Sequence, residues 1–187
     1  LFLSFLIPST FGLFLLSINF VVDGIFIGHG VGANGLAAVN ISVPIYSFFY
    51  GIALWIGVGG ATLFSMFVGK NEIEKAQQIF IIAVGSSLLI TLVSLLMIEQ
   101  IAYFFGANDA IIDLVLDYMV VLVLFGVIFV LETYLSVFLR NDGNPLLAMA
   151  GLIASAVLNI IFNYIFIFIF GWGVKGAAYA IVLANLI

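Results

Sequence analysis

Residues 36–68 read LAAVNISVPIYSFFYGIALWIGVGGATLFSMFV, a stretch without one Asp, Glu, Lys or Arg. A hydrocarbon core roughly 30 Å thick is crossed by about 20 apolar residues in a helix, so these positions more than suffice for a membrane span. The stretch also contains Pro44 and the glycines Gly57, Gly59 and Gly60. Its excess length predicts a helix that tilts, protrudes, or bends at Pro44 or at the glycine group.

Working outward, a first span is read from Phe2 to Ile27, closed by Gly28-His29-Gly30-Val31-Gly32. After Val68 comes the polar stretch Gly69-Lys70-Asn71-Glu72-Ile73-Glu74-Lys75, then a third span from Ala76 to Ile98. A loop carrying Glu99, Asn108 and Asp109 leads to a fourth span, Ile112 to Leu139, whose early Asp113 and Asp117 suit a helix N-terminus. Arg140-Asn141-Asp142-Gly143-Asn144-Pro145 reads as a turn, Leu146 to Phe170 as a fifth span, and Gly171-Trp172-Gly173-Val174-Lys175-Gly176 as a link. A sixth span begins at Ala177 and has only about 11 residues, or about 16 Å, which is too short to cross. A piece of a longer protein is therefore expected, and Leu1 in place of Met points the same way.

Composition agrees: of 187 residues, 66% are hydrophobic and 7% charged, and the mean hydropathy is +1.41. The fold class that follows is all-α, a polytopic transmembrane bundle of about six helices. The net charge of -5 arises from few ionisable groups and there is no basic run, which excludes nucleic acid as a partner. Absence of cysteine removes disulfide frameworks, thiolate metal sites and cysteine nucleophiles. Lys70, Lys75 and Arg140 fall in loops that share one side, against Lys175 opposite, so the amino terminus is expected to be cytoplasmic in a plasma membrane.

Ionisable residues within spans are costly and count as functional candidates. Asp23 and Glu132 qualify. Asn19 precedes Asp23 by one turn on the same helix face, and Asn159 and Asn163 repeat that spacing in the fifth span. Counting residues from Phe2 and Leu146 puts Asn19 and Asn163 both roughly 25 Å up, with Asn40 near the same level. A carboxylate ringed by amide oxygens suits a sodium ion, and equally suits a carboxyl that carries a proton. The competing reading is that these asparagines only tie helices together. Glu132 lies at a different depth; it is either a relay or a carboxylate satisfied by a hydroxyl such as that of Ser136 or by water near the inner interface. Gly24 with Gly28, Gly57 with Ala61, and Gly151 with Ser155 read as close helix contacts. His29, alone in a loop, is not expected to bind metal, and the abundant Phe can line a cavity for flat cationic or amphipathic solutes. No paired catalytic groups occur in the spans, so an enzyme is not expected and no cofactor is implied beyond a bound sodium ion.

Val22-Asp23-Gly24-Ile25-Phe26-Ile27-Gly28, Gly35-Leu36-Ala37-Ala38-Val39-Asn40, Gly69-Lys70-Asn71, Arg140-Asn141-Asp142-Gly143-Asn144-Pro145, Asn159-Ile160-Ile161-Phe162-Asn163-Tyr164 and Gly173-Val174-Lys175-Gly176-Ala177-Ala178 together resemble the multidrug and toxic compound extrusion (MATE) family. The resemblance covers the chain in order and implies residues 1–187 are an amino-terminal six-helix lobe, its last helix incomplete. It implies a partner lobe, or a second copy in a half-size homodimer, and exchange of sodium ions or protons for organic compounds by alternating access. Asp23 matches the family's coupling aspartate and Asn159 an asparagine near it. Asn163 departs from the pattern, since many relatives have Asp there. A flippase for lipid-linked saccharides is the alternative within the same superfamily.

Overall fold

The computed structural model describes residues 2–141 and 144–186; Asp142 and Gly143 of the expected turn, and Ile187, lie outside them. The regular elements are helical throughout: α1 (Phe2–Gly30), α2 (Ala33–Gly69), α3 (Ile73–Leu96), α4 (Ile98–Phe104), α5 (Ile112–Leu124), α6 (Gly126–Asn141), α7 (Pro145–Asn163) continuing as a π-helical segment Tyr164–Ile169, and α8 (Gly173–Leu186). Among the described residues, α2, α3 and the run Leu146–Ile169 are each long and apolar enough to cross a membrane, and α5 with α6 forms another span bent by 47°. The all-α membrane bundle is thus present, in the form lipid demands, with backbone polar groups satisfied inside each helix.

Several boundaries differ from the sequence reading. α1 continues through Gly28 and His29, and His29 Nδ1 lies 2.9 Å from the carbonyl oxygen of Ile25, so the imidazole sits on the last turn rather than in a loop. The reversal is confined to Val31 and Gly32, where φ is 92° at Gly32, a left-handed value that glycine tolerates without strain. α2 runs unbroken for 37 residues across Pro44 and the glycine group, about 55 Å at 1.5 Å per residue, and so protrudes beyond the hydrocarbon core. The expected fourth span is broken instead, at Phe125. There the Thr91 hydroxyl of α3 lies so close to Gly126 that a Cβ would meet it at 3.3 Å. Glu99 belongs to α4 rather than a loop. Lys175 belongs to the first turn of α8, where its Nζ meets Asp117 Oδ1 at 3.1 Å.

α8 presents Ala177, Ala178, Ala180 and Ala184 to the interior, and small side chains let it lie close among its neighbours. Against it pack Ile27, Tyr118, Val121, Leu122 and Ile167. The α2–α6 seam is close as well. A Cβ on Gly57 would lie 2.9 Å from Thr133 Cβ, Ala61 is fully buried, and Phe64 meets Tyr134 and Phe138 edge to face. The Gly57–Ala61 pair is therefore the helix contact expected of it. Gly24 and Gly28 are not, because nothing lies within 4 Å of either position, and Gly151 is equally open.

Tyr46 packs on Phe129 and Phe64 on Phe138, so α2 and α6 run in the same direction. Lys70, Lys75 and Arg140 consequently occupy one end of the bundle. At that end Lys75 Nζ lies 2.6 Å from Glu72 Oε2, and this hydrogen bond holds the Glu72 carboxyl below its usual range.

Candidate functional site

α1 and α7 lie side by side, their register fixed where Phe26 packs edge-on against Tyr164 and Phe168. That register brings Asp23 to Asn163: Asn163 Nδ2 donates to Asp23 Oδ1 at 2.6 Å. The same nitrogen donates to Asn159 Oδ1 at 3.1 Å. Turning the Asn159 amide over instead places its nitrogen 2.9 Å from Asp23 Oδ1 and its oxygen 3.3 Å from the backbone N–H of Ile181 on α8. In both arrangements Asp23 Oδ1 is the centre of the cluster, taking one or two amide donors. Hydrogen bonds to an ionised carboxylate are among the stronger ones.

Residue counting placed Asn19 level with Asn163; the structure corrects this by one turn, since it is Asp23 that meets Asn163. Helix tilt and true helix starts are not legible from residue numbers. Asn19 remains one turn away on the same face of α1. The four side chains that the sequence grouped are brought together.

Two oxygens in the cluster are left over. Asn163 is fully buried and its Oδ1 has no hydrogen-bond partner; Asn19 Oδ1 is likewise shielded and unpartnered. A buried acceptor without a donor costs about 1–3 kcal/mol. Beside it lies a cavity of about 250 Å³ whose walls include Asn19, Asp23, Asn40, Tyr46, Asn159 and Asn185. Asn40 thus joins the cluster from α2, while Asn163 stands behind the wall and acts through Asp23. Among the described residues there is no group of three or more His, Cys, Asp or Glu fit for a metal ion. A single carboxylate with amide oxygens is instead a hard-oxygen set for a monovalent cation or a proton.

Glu132 lies apart, as its depth predicted, but its hydroxyl neighbour is Thr133, whose Oγ1 is 3.5 Å from Glu132 Oε2, rather than Ser136. Sequence reasoning missed Tyr46 and Tyr118, which line the cavity, because tyrosine merges with its apolar neighbours in a hydrophobic run. It also missed Asn185, which accepts a 2.8 Å hydrogen bond from Ser155 Oγ and so ties α8 to α7. The rule that singled out Asn159, a polar side chain in an apolar span, applies to Asn185 equally.

The MatE family pattern matches residues 8–165. Multidrug export protein MepA of Staphylococcus saprophyticus is 29% identical over 187 residues, covering 98% of this chain and 42% of its own length. An outward-facing multidrug resistance MATE family transporter of the MOP superfamily superposes with a TM-score of 0.83 at 28% identity, over 97% of this chain and 41% of that one. An inward-facing one gives 0.77 at 29% identity, over 91% and 39%. The chain spans less than half the length of the relatives it matches.

Proposed function

This chain belongs to the MatE family, and from that premise we propose that it is the amino-terminal lobe of a multidrug exporter, an antiporter driven by sodium ions or protons bound at Asp23. Asn19, Asn40, Asn159 and Asn163 complete the ion site. The observation that carries this reading is the Asp23 carboxylate, held by Asn163, on the wall of a cavity that Asn19, Asn40 and Asn159 also line. A cation entering that cavity meets the Asp23 carboxylate together with amide groups of its walls, Asn19 Oδ1 being shielded and without a partner. A proton arriving on Asp23 turns the carboxylate into a donor that can reach an amide oxygen.

Antiport requires a site whose affinity differs between inward-open and outward-open states, because a ligand shifts a conformational equilibrium only by its differential affinity. A site divided between α1 and α7 meets that need, since small relative movement of the two helices makes or breaks it. The cargo is a small amphipathic organic compound, held against rings such as Tyr46 and Tyr118, whose faces favour cations. A second six-helix lobe, or a second copy of this chain, completes the cavity, and lipid surrounds the rest. The scheme uses no cofactor beyond the coupling ion. A lipid-linked saccharide flippase is not favoured, because among the described residues Lys and Arg stand only at helix ends and in loops, leaving no basic group in the spans to hold a phosphate.

The test is Asp23→Asn in the complete protein. Ethidium efflux from proteoliposomes under an imposed sodium or proton gradient is expected to fall to the protein-free rate, with melting temperature and dye binding retained. Wild-type efflux with wild-type gradient dependence would exclude Asp23 as the coupling group. The amino terminus and the Lys70, Lys75 and Arg140 end face the cytoplasm in this scheme. A cysteine replacing Arg140 is expected to react only with reagent supplied from inside; labelling in intact cells from outside overturns the orientation.

A further inference from the structure

The end of the bundle opposite Lys70, Lys75 and Arg140 carries a groove that the ion site does not use. Its volume is about 540 Å³, and Phe166, Trp172, Lys175, Tyr179 and Leu183 line it. Lys175, Tyr179 and Leu183 recur every four residues along α8, so the groove follows that helix inward from Lys175 for about 12 Å at 1.5 Å per residue. The opposite wall is held in place by its backbone. Gly171 and Gly173 have φ of 68° and 59°, left-handed values that fold the link after the π-helical segment back on itself. Within that link the Trp172 N–H donates to the Phe166 carbonyl at 2.9 Å. A Cβ on Gly176 would lie 3.0 Å from the Cβ atoms of both Phe166 and Trp172, so the absence of a side chain there lets the wall approach α8. Trp172 is thereby stacked on Phe166, with ring centroids 5.0 Å apart, and meets Tyr179 edge-on at 6.0 Å.

An ion pair stands at the mouth. Lys175 Nζ donates to Asp117 Oδ1 of α5 at 3.1 Å, with both side chains about half exposed. That bond uses one ammonium N–H and leaves two, while a carboxylate accepts several hydrogen bonds. A donor and an acceptor are thus set side by side over an apolar slot, with Trp172 and Tyr179 beside them as at a membrane surface. A ligand suited to this slot has an apolar tail, an anionic group for Lys175 and a cationic N–H donor for Asp117. A lipid head of net negative charge is disfavoured, because Glu99, Asp109 and Asp113 stand at the same end, on α4, in the α4–α5 turn and in the first turn of α5. Lys175 is the one Lys or Arg facing them. A choline head supplies positive charge but no N–H for the carboxylate.

We propose that this groove is a phosphatidylethanolamine site. One acyl chain lies along Tyr179 and Leu183, between α8 and the Phe166–Trp172 wall. The phosphate takes the free N–H groups of Lys175, and the ethanolamine ammonium donates to Asp117. The two charges of the head match the two of the ion pair in reverse order, so each gains a partner and the mouth stays neutral. Since Lys175 belongs to α8 and Asp117 to α5, the bound head bridges these helices. The inference needs the membrane bundle and is independent of the reading of Asp23.

The test is native mass spectrometry of the complete transporter released from nanodiscs containing equal parts of phosphatidylethanolamine and phosphatidylcholine with the same acyl chains. Wild type is expected to retain the ethanolamine lipid over the choline lipid by about two- to fivefold, the size of one exposed charge pair. Asp117→Asn should remove that preference while retention of phosphatidylcholine stays, and Asp117→Glu, which keeps the charge, should keep the preference. Lys175→Gln loses the partner of the phosphate that both lipids carry, so both should be retained less. Trp172→Ala opens the wall and should lower both as well. Equal retention of the two lipids by wild type, or a preference that survives in Asp117→Asn, overturns the inference. Retention unchanged in both Lys175→Gln and Trp172→Ala overturns it too, since the lipid would then be held elsewhere.

Discussion

The α2–α6 seam is closed by Gly57 against Thr133 and by the rings of Phe64, Tyr134 and Phe138. Between α1 and α7, by contrast, a carboxylate and amides meet and two carbonyl oxygens stay unbonded. In the first seam the Thr133 hydroxyl is spent on its own helix, donating to Phe129 at 2.8 Å, and the helices meet through small residues and rings, with the Tyr134 hydroxyl buried without a partner on a ring set against Phe64 and Phe80. In the second, carbonyl oxygens beside a carboxylate are left open at a cost in stability, which fits the ion site proposed for Asp23. One seam fixes two helices as a body, and under the proposed function the other lets a bound ion decide how two helices sit.

The largest expected effect breaks the tight seam. In Gly57→Leu the new Cβ falls 2.9 Å from Thr133 and 3.3 Å from the Val130 carbonyl oxygen, and the rest of the side chain has nowhere to go. A loss of about 3 kcal/mol is expected, read by thermal unfolding in detergent micelles; an unchanged melting temperature would show that the seam is loose. Next comes Asn163→Asp, which puts a second carboxyl where an amide now donates to Asp23 at 2.6 Å. Two carboxylates so close cannot both stay ionised without a cation between them. The proton-to-substrate ratio measured in proteoliposomes should therefore rise, with a stability change of only about 1 kcal/mol; an unchanged ratio would detach Asn163 from the proposed ion site. The smallest effects belong to Gly24→Ala and Gly28→Ala on the open face of α1, where nothing lies within 4 Å. Each should be neutral or stabilise by up to about 1 kcal/mol through helix propensity, and a loss above about 2 kcal/mol would mean that this face is packed.

The bundle was legible because charge-free runs such as Leu36–Val68 leave no alternative to spanning helices, and the site was legible because Asp23 and the asparagines interrupt such runs. The break at Phe125 was not, since no proline marks it and Gly126 resembles glycines that interrupt nothing, including those within α2. What accompanies it is a contact with a different helix: Thr91 lies where a Cβ on Gly126 would meet its hydroxyl at 3.3 Å. The pairing of Asp23 rather than Asn19 with Asn163 was hidden for a similar reason: the α1–α7 register is set by rings such as Phe26 and Phe168, not by distance from a helix start.

The break at Phe125 also bears on how the chain enters the membrane during synthesis. α5 has 13 residues and α6 has 16, about 20 Å and about 24 Å, so neither alone crosses a hydrocarbon core of roughly 30 Å. The insertion machinery, which weighs apolar segments of about this span length, has to accept residues 112–141 as one unit although they carry Asp113, Asp117 and Glu132. Thr91 belongs to α3, which precedes α5 and α6 in the chain, so the helix that Gly126 faces at the 47° bend is synthesised before the bent pair itself.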